Sequence, residues 1–475
     1  MLFMPFHILG IWVRGLLALA IPILAILCLK WWYDESWVVE RAQVVRVESL
    51  PSGEVKATLR EERVPRSSGE DREAAADVDP SASGRREFRF DPGWNRPTAE
   101  LAAAVVLLAW ALAGRWIGRG LDAIWLRLRA AVGRGASSRS VEMAEVIGPD
   151  RLSGRGPIVA EEAQPEAPRE LRTGKVYRIR RPDGSELRVE TYGRENAPPL
   201  VLTHGWGANA DEWYYQKQHL AGRFRLIVWD LAGLGYSKQP DNRDYSLEKM
   251  ATDLEAVLTL AHDRRAVLVG HSIGGMILLT FCRLFPKALR SRVAGLAVVH
   301  SSYKDPIQTV QMAPLYRALR VPVIIPLLYL TIAFWPLVWL MNGLSYLNGS
   351  LQRSTRKQSF GGPGTREQVD FLSRLMLKAR PDVLARGMFG MMAFDETATL
   401  PTIPVPTLVV IGDRDKTTVA EAGEYIARNI PGAMAVTLAP ARHLGLFEYH
   451  GQFDQILADF AATCAGTAAT TVVTM

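Results

Sequence analysis

The segment Gly270-His271-Ser272-Ile273-Gly274-Gly275 carries the clearest chemical signal in this 475-residue chain. It reads G-x-S-x-G, directly after the apolar run Ala266 to Val269 and directly before the helical pattern Ile273 to Phe285. In that strand-turn-helix context a serine is thrust out of a sharp turn. Glycine is expected at 270 and 274 because side chains there would collide with the neighbouring backbone. Ser272 then stands at a helix N-terminus, whose dipole favours an oxyanion. A serine hydroxyl is a poor nucleophile at neutral pH. It needs an imidazole to take its proton and return it to the leaving group, and a carboxylate to fix the imidazole tautomer and stabilise its cation. Acyl chemistry through a covalent serine intermediate is the expectation.

A nucleophile presented in this way needs a rigid support. From Lys175 onward, short apolar runs alternate with helical patterns. Lys175 to Arg181 and Glu186 to Gly193 read as a hairpin around Pro182-Asp183-Gly184. Leu200 to Thr203, Phe224 to Trp229, Ala266 to Val269, Val293 to Val299 and Thr407 to Ile411 read as strands buried on both faces. Leu247 to Ala261, Ile273 to Phe285 and Val419 to Asn429 read as helices between them. This alternation predicts a mostly parallel α/β sheet flanked by helices, with ligand sites at the carboxyl ends of the strands.

With those elements in place, the chain resembles the α/β-hydrolase superfamily in segments that agree in order and spacing. His204-Gly205-Trp206-Gly207 follows a strand as that superfamily's oxyanion loop does. The resemblance implies that the backbone N–H groups of Trp206 and Ile273 form the oxyanion hole. Asp230-Leu231-Ala232-Gly233-Leu234-Gly235-Tyr236-Ser237 is similar to the family's D-x-P-G-x-G-x-S loop, with Ala232 in place of proline. Val405 to Asp415 is similar to the segment bearing the family's acid, which implies Asp415; Asp413 is the alternative, with a turn-capping carboxylate as its other reading. Ala439 to Gly445 resembles the loop of the base, which implies His443. Ser, then Asp, then His is also the chain order of this fold. His204 and His271 read as structural, and His219, His262 and His450 show no visible partner. His300 ends the strand Val293 to Val299, where some relatives carry an acid, and Asp305 just beyond it is the reserve third member.

The first third of the chain has a different character. Ile8 to Leu29 is apolar apart from Arg14, long enough to cross a bilayer core of roughly 30 Å, and runs into Lys30, Trp31, Trp32 and Tyr33 at an interfacial position. We expect a transmembrane helix at 8–29; a cleaved signal peptide is the competing reading, disfavoured by the missing small-residue cleavage pattern. Residues 31–97, rich in charge, Pro, Ser and Gly, are expected to be a polar loop. A second span is expected at 98–117, against a buried helix of a soluble domain. The loop carries 11 basic and 14 acidic residues, whereas 115–139 holds six arginines against Asp122 alone. The positive-inside rule then puts everything after the second span in the cytoplasm, at a bacterial-type inner or plasma membrane. Trp116, Ile117, Leu121, Ile124, Trp125 and Leu128 recur at helical spacing among those arginines, as in an amphipathic helix on anionic headgroups or one packed on the next domain. The domain plan is therefore a membrane anchor (1–119), a juxtamembrane helix and linker (120–172), an α/β-hydrolase domain (173–465) and a tail (466–475).

Between the strands ending at Val299 and starting at Thr407 lies an insertion, with a cap expected at about 303–400. Val321 to Leu347 within it carries no charge and includes Pro322, Pro326 and Pro336. Read as a membrane span, it would place Ser272 and His443 on opposite sides of the bilayer. We therefore expect an apolar helical cap, either membrane-facing or packed on protein alone. An apolar wall over the site favours a lipid-like ester, as in the monoacylglycerol lipases and anchored lipid esterases that the chain resembles. Acyl transfer, perhydrolase- or haloperoxidase-like chemistry and a non-catalytic lipid-binding scaffold are the alternatives.

The net charge of +7 fits a membrane surface, since no zinc spacing, RNA-binding aromatic signature or recognition helix accompanies it, and no nucleic-acid partner is expected. Cys28, Cys282 and Cys464 lie too far apart for metal-type spacing, and no disulfide framework is expected. No cofactor and no metal are expected.

Overall fold

The computed structural model of the chain describes residues 4–49, 55–65, 86–88, 99–112, 114, 146–147, 174–310, 312–362 and 364–466. Its contacts divide the chain into two units, Leu16–Arg127 and the combination of Met1–Gly15 with Leu128–Met475. Helix α1 (Met4–Ser36) covers the first expected span, and its segment Trp12–Trp32 is long and apolar enough to cross a membrane by length and composition. The stretch 31–97 departs from the loop expected there. It contains an antiparallel sheet of β1 (Trp37–Ser49), β2 (Val55–Pro65) and β3 (Arg86–Phe88) in the order β2-β1-β3. The charge of this stretch argues against a core. Its β-branched residues, among them Val38, Val39, Val44, Val45 and Val47, nevertheless favour extended backbone, which pairing satisfies. Helix α2 (Ala99–Leu112) covers about 21 Å of the second expected span. Apart from Gly114, the remainder of 98–117 lies outside the described residues. So does the basic helix expected after it, and so does the linker 135–172 apart from β4 (Val146–Ile147).

The second unit is built on a nine-stranded sheet of order β4-β12-β11-β10-β9-β7-β8-β6-β5. The hairpin β5 (Lys175–Arg180) and β6 (Glu186–Tyr192) forms one edge, where β6 runs antiparallel to both neighbours. After β7 (Pro199–Thr203) come α3 (Tyr214–His219), β8 (Arg225–Trp229), α4 (Leu247–Leu258) and β9 (Ala266–His271). From β7 the chain goes to β8 on one side, then crosses back to β9 on the other. That reversal opens a crevice at the carboxyl ends of β7 and β9. Helices α5 (Ile273–Leu284) and α6 (Pro286–Arg292) lead to β10 (Val293–Val299).

Alternate residues of the central strands feed two cores, as period-2 geometry requires. Val201, Leu268, Leu296 and Val409 pack with residues of α4 and α5 on one face. Leu200, Leu202, Val267 and Val410 pack on the other face with Trp213, Phe447, Phe453 and Leu457.

The insertion after β10 is a helical cap. It comprises α7 (Pro306–Thr309), α8 (Ala313–Leu319), α9 (Ile325–Ala333), α10 (Trp335–Leu347), α11 (Ser350–Ser359), α12 (Arg366–Lys378) and α13 (Pro381–Met392). The prolines act at the joints. Pro322 lies in a π-helical turn between α8 and α9, while Pro326 and Pro336 occupy first turns, where a missing N–H costs nothing. The chain then returns through β11 (Thr407–Gly412), α14 (Ala420–Asn429), β12 (Met434–Leu438), α15 (Gly445–Glu448) and α16 (His450–Cys464).

Candidate active site

The turn between β9 and α5 holds Ser272 at φ +55°, a conformation that L residues adopt only when the surroundings impose it. Those surroundings are visible. The Ser272 N–H donates to Val299 O at 2.9 Å, and Ser301 Oγ donates to Ser272 O at 2.6 Å. A Cβ at Gly270 would overlap the Gly274 backbone, and one at Gly274 would overlap the Thr203 carbonyl. The steric reason inferred for both glycines is therefore present in the fold. Ile273 opens α5, so its N–H has no intrahelical acceptor and is free to serve an oxyanion.

Ser272, His443 and Asp415 come together from three loops. The Oγ of Ser272 is 3.0 Å from His443 Nε2, and His443 Nδ1 donates to Asp415 Oδ2 at 2.7 Å. Asp415 follows β11, and His443 follows β12, so neighbouring parallel strands deliver the acid and the base. The carboxylate is tightly held. Its Oδ1 accepts from the N–H groups of Thr417 (2.7 Å) and Thr418 (3.2 Å), and its Oδ2 also accepts from Thr418 Oγ1 at 2.8 Å.

Burial sets the electrostatics. It opposes charge on Asp415, but the His443 charge and hydrogen bond, with His300 and the Thr417 N–H, outweigh it and keep the carboxyl well below its usual range. His443 is pushed down to about 4, chiefly by burial and against the pull of Asp415. At neutral pH the pair is thus a carboxylate and a neutral imidazole with its proton on Nδ1, leaving Nε2 to accept the serine proton.

Other candidates fall elsewhere. Asp413 accepts the Ala441 N–H at 2.7 Å, the turn-capping role given as its other reading. Asp305 caps α7 through the Ile307 N–H at 2.9 Å and pairs with Arg320 at 3.2 Å. His204 bridges the Gly205 carbonyl (2.8 Å) and the Leu231 N–H (3.0 Å), tying the oxyanion loop to the loop after β8. Asp230 in that loop accepts from Ala210 and Tyr236 N–H groups at 2.7 and 2.9 Å.

His219, which has no visible partner in the sequence, pairs with Asp454, and His450 lies beside that pair. His219 Nδ1 lies 2.6 Å from the Asp454 carboxylate, and His450 stacks on Tyr215 at 3.7 Å. The three donor atoms lie within 4.8 Å of one another, as a clamp between α3 and α16.

The cap reaches the oxyanion loop directly. Trp206 Nε1 donates to Leu384 O of α13 at 3.1 Å, and a Cβ at Gly387 would overlap the Trp206 indole. On the acid's side of the triad, an open cleft of about 750 Å³ is lined by Tyr303, Lys416 and Tyr425 among others; it includes Asp415 but not Ser272. Sequence reading missed Thr418 and Glu212. The signal for Thr418 is its place three residues after the acid, and for Glu212 a charge beside Trp213 at a position that the fold buries completely.

A family model described as the alpha/beta hydrolase fold matches residues 198–321, covering the oxyanion loop and the nucleophile turn. Among curated relatives, a pimeloyl-[acyl-carrier protein] methyl ester esterase of Vibrio atlanticus is 27% identical over 275 residues, 56% of this chain and 94% of that protein. A putative carbamate hydrolase of Stutzerimonas stutzeri is 27% identical, covering 60% of this chain and 99% of that protein. Among solved structures, an esterase from Exiguobacterium antarcticum shares the fold with a TM-score of 0.50 at 22% identity, over 61% of this chain and 99% of that one. Over residues 198–321 the chain matches the alpha/beta hydrolase fold, and it is a hydrolase with esterases among its relatives.

Proposed function

We propose that the protein is a membrane-anchored serine esterase that cleaves a carboxylic ester with a lipid-like acyl group. The observation that carries the ester chemistry is the hydrogen-bonded chain from Ser272 Oγ through His443 to Asp415. In this reading His443 takes the Ser272 proton as Oγ adds to the ester carbonyl. The N–H groups of Trp206 and Ile273 receive the oxyanion, and the imidazolium returns the proton to the departing alcohol. A water then repeats the sequence on the acyl-enzyme. Ester-cleaving relatives support the reaction class.

The membrane part of the proposal rests on two features. The helix Trp12–Trp32 has the length and apolarity of a span, and the cap exposes Val321, Tyr329, Phe334, Trp339 and Leu340 on α9, α10 and their joints. Such a patch is a lipid- or protein-facing surface. The segment Ala313–Ala333 also passes as a span by length and composition. A single crossing there would separate Ser272 from His443, which lie 3.0 Å apart, so a cap lying on the membrane fits better. The start of α1 rests on the same cap, with Trp12 Nε1 donating to Thr331 Oγ1 at 3.1 Å. The arginine-rich segment after the second span supports a cytoplasmic catalytic domain.

The test compares esters presented in two ways. Val321→Asp with Leu340→Asp places charges at exposed positions and should add roughly 2 to 3 kcal/mol each at membrane depth, less at the interface. Hydrolysis of a long-chain ester in vesicles should fall at least tenfold while that of a short soluble ester is retained. Equal activity on the vesicle ester would refute the membrane-facing cap.

A further inference from the structure

A second buried carboxylate and imidazole lie beside the triad, and the proposed reaction does not use them. Glu212 and His271 are both completely inaccessible to solvent. One carboxylate oxygen of Glu212, Oε2, accepts the Gly205 N–H of the oxyanion loop at 2.6 Å. The other, Oε1, lies 3.0 Å from His271 Nδ1. On the far side of the ring, His271 Nε2 lies 3.0 Å from the backbone carbonyl oxygen of His443. His271 is itself the residue before the nucleophile. One connected path therefore joins the oxyanion loop, the nucleophile turn and the loop of the base.

The chemistry of these partners restricts the protons. A carboxylate oxygen and a carbonyl oxygen are acceptors only. A neutral imidazole, with one N–H and one bare nitrogen, would leave a bare nitrogen facing an acceptor at one end of the path. Both contacts become hydrogen bonds when the couple holds one more proton, with each ring nitrogen donating and the carboxylate ionised.

We propose that Glu212 and His271 form an ion-paired positioning couple, its imidazolium donating to Glu212 and to the His443 carbonyl, that fixes the oxyanion loop and the base relative to Ser272. The Glu212 carboxyl supports that state. Burial opposes its charge, yet His271, with His204 and the Gly205 N–H, draws it down to about 2. The couple also has an electrostatic consequence. The rings of His271 and His443 lie 4.9 Å apart, so a cation at His271 disfavours a second cation at His443 and keeps the base free at lower pH. The other groups facing these rings are Asp415, bonded to His443, and His300, whose ring lies 6.1 Å from His271 and 6.3 Å from His443. His204 lies on the Glu212 side.

This inference rests on the Ser272, His443 and Asp415 reading, and two variants of the full chain separate it from that reading. Glu212→Gln is isosteric and keeps every hydrogen bond, because its oxygen can accept from Gly205 while its amide donates to His271 Nδ1. It removes only the charges. Glu212→Leu removes the bonds, leaving the Gly205 N–H and His271 Nδ1 unpartnered in a site that water does not reach.

With a short soluble ester, Glu212→Leu should lose on the order of 100-fold in kcat with KM within about threefold, since the loss falls on geometry rather than substrate binding. Glu212→Gln should recover most of that kcat. It should also shift the acidic limb of the kcat/KM profile upward by about one pH unit, as the cation beside His443 is lost. A purely structural role would not move that limb. A readout independent of activity is the downfield proton spectrum. The wild type should show two ring N–H protons that vanish in His271→Phe, and Glu212→Gln should show one. A single such proton in the wild type, or a Glu212→Gln profile that superimposes on the wild type, would overturn the couple. If Ser272→Ala kept full activity, the triad reading would fall instead, and the proton spectrum would still decide the state of His271.

Discussion

Replacing Asp415 by Asn keeps the shape of the acid and reverses the hydrogen bonds at one of its two oxygens, and the structure dictates which. The N–H groups of Thr417 and Thr418 point at Oδ1 from 2.7 and 3.2 Å, so the amide oxygen must occupy that position. The amide NH₂ then takes the place of Oδ2, facing His443 Nδ1 at 2.7 Å and Thr418 Oγ1 at 2.8 Å. His443 has to accept there, which moves its own proton to Nε2 and turns it toward Ser272, where the base is needed. Restoring the productive tautomer means flipping the amide and leaving two buried N–H donors without acceptors, at roughly 1 to 3 kcal/mol each. At about 1.4 kcal/mol per decade, kcat should fall by about 30-fold to about 10⁴-fold, the upper end matching a triad held in the wrong tautomer. Initial rates on a chromogenic short-chain ester at pH 8 would measure this, with Asp413→Asn as the control. Asp413 caps the Ala441 N–H, a bond that asparagine can also accept, so the control should stay within about threefold. Loss of activity in Asp413→Asn with retention in Asp415→Asn would refute the assignment of the acid.

The buried histidines give a pH dependence of stability. His443 is held down to about 4 and His300 to about 3, in both cases chiefly by burial. The unfolded chain therefore takes up protons below about pH 6.5 that the folded chain refuses. Their contribution is complete above that pH and is lost as pH falls toward the folded values, at roughly 1.4 kcal/mol per unit per histidine. Buried carboxyls such as Asp305 and Glu448 are raised by burial and act with the opposite sign at lower pH. The difference between wild type and His300→Leu isolates the histidine, and that difference in unfolding free energy should change between pH 7 and 5; a constant difference would contradict it. At the cap, Gly387→Val should overlap the Trp206 indole, cost about 1 to 3 kcal/mol and lower kcat through the oxyanion loop, as thermal melts and rates would show. Gly343→Ala in α10 meets open space and should instead stabilise by roughly 0.5 to 1 kcal/mol, with unchanged rates.

What could be read from the sequence follows from the range of the forces involved. The nucleophile turn is governed by collisions within four residues, so Gly270, Ser272 and Gly274 announce it locally. The strands buried on both faces stand out as unbroken apolar runs. Strand β12 does not, because Met434 to Thr437 are only half-buried at its place in the sheet. The contact between Glu212 and His271 spans 59 residues and depends on a short helical turn after the oxyanion loop meeting the end of β9. No periodicity encodes it. Asp305 had the right residue type and neighbourhood for a triad acid, but the fold gives its carboxylate to the α7 N-terminus and Arg320. The strands within 31–97 were hidden for the opposite reason, since composition reports the lack of a core while extended pairing needs only backbone and β-branched residues.

The most direct test of the central assignment is a fluorophosphonate adduct on the full-length, detergent-solubilised protein, located by peptide mass spectrometry. The account predicts one adduct per chain, on the peptide containing Ser272, formed at a rate that collapses in His443→Ala and is absent in Ser272→Ala. An adduct on another serine, or labelling of Ser272 that proceeds undiminished in His443→Ala, would contradict it.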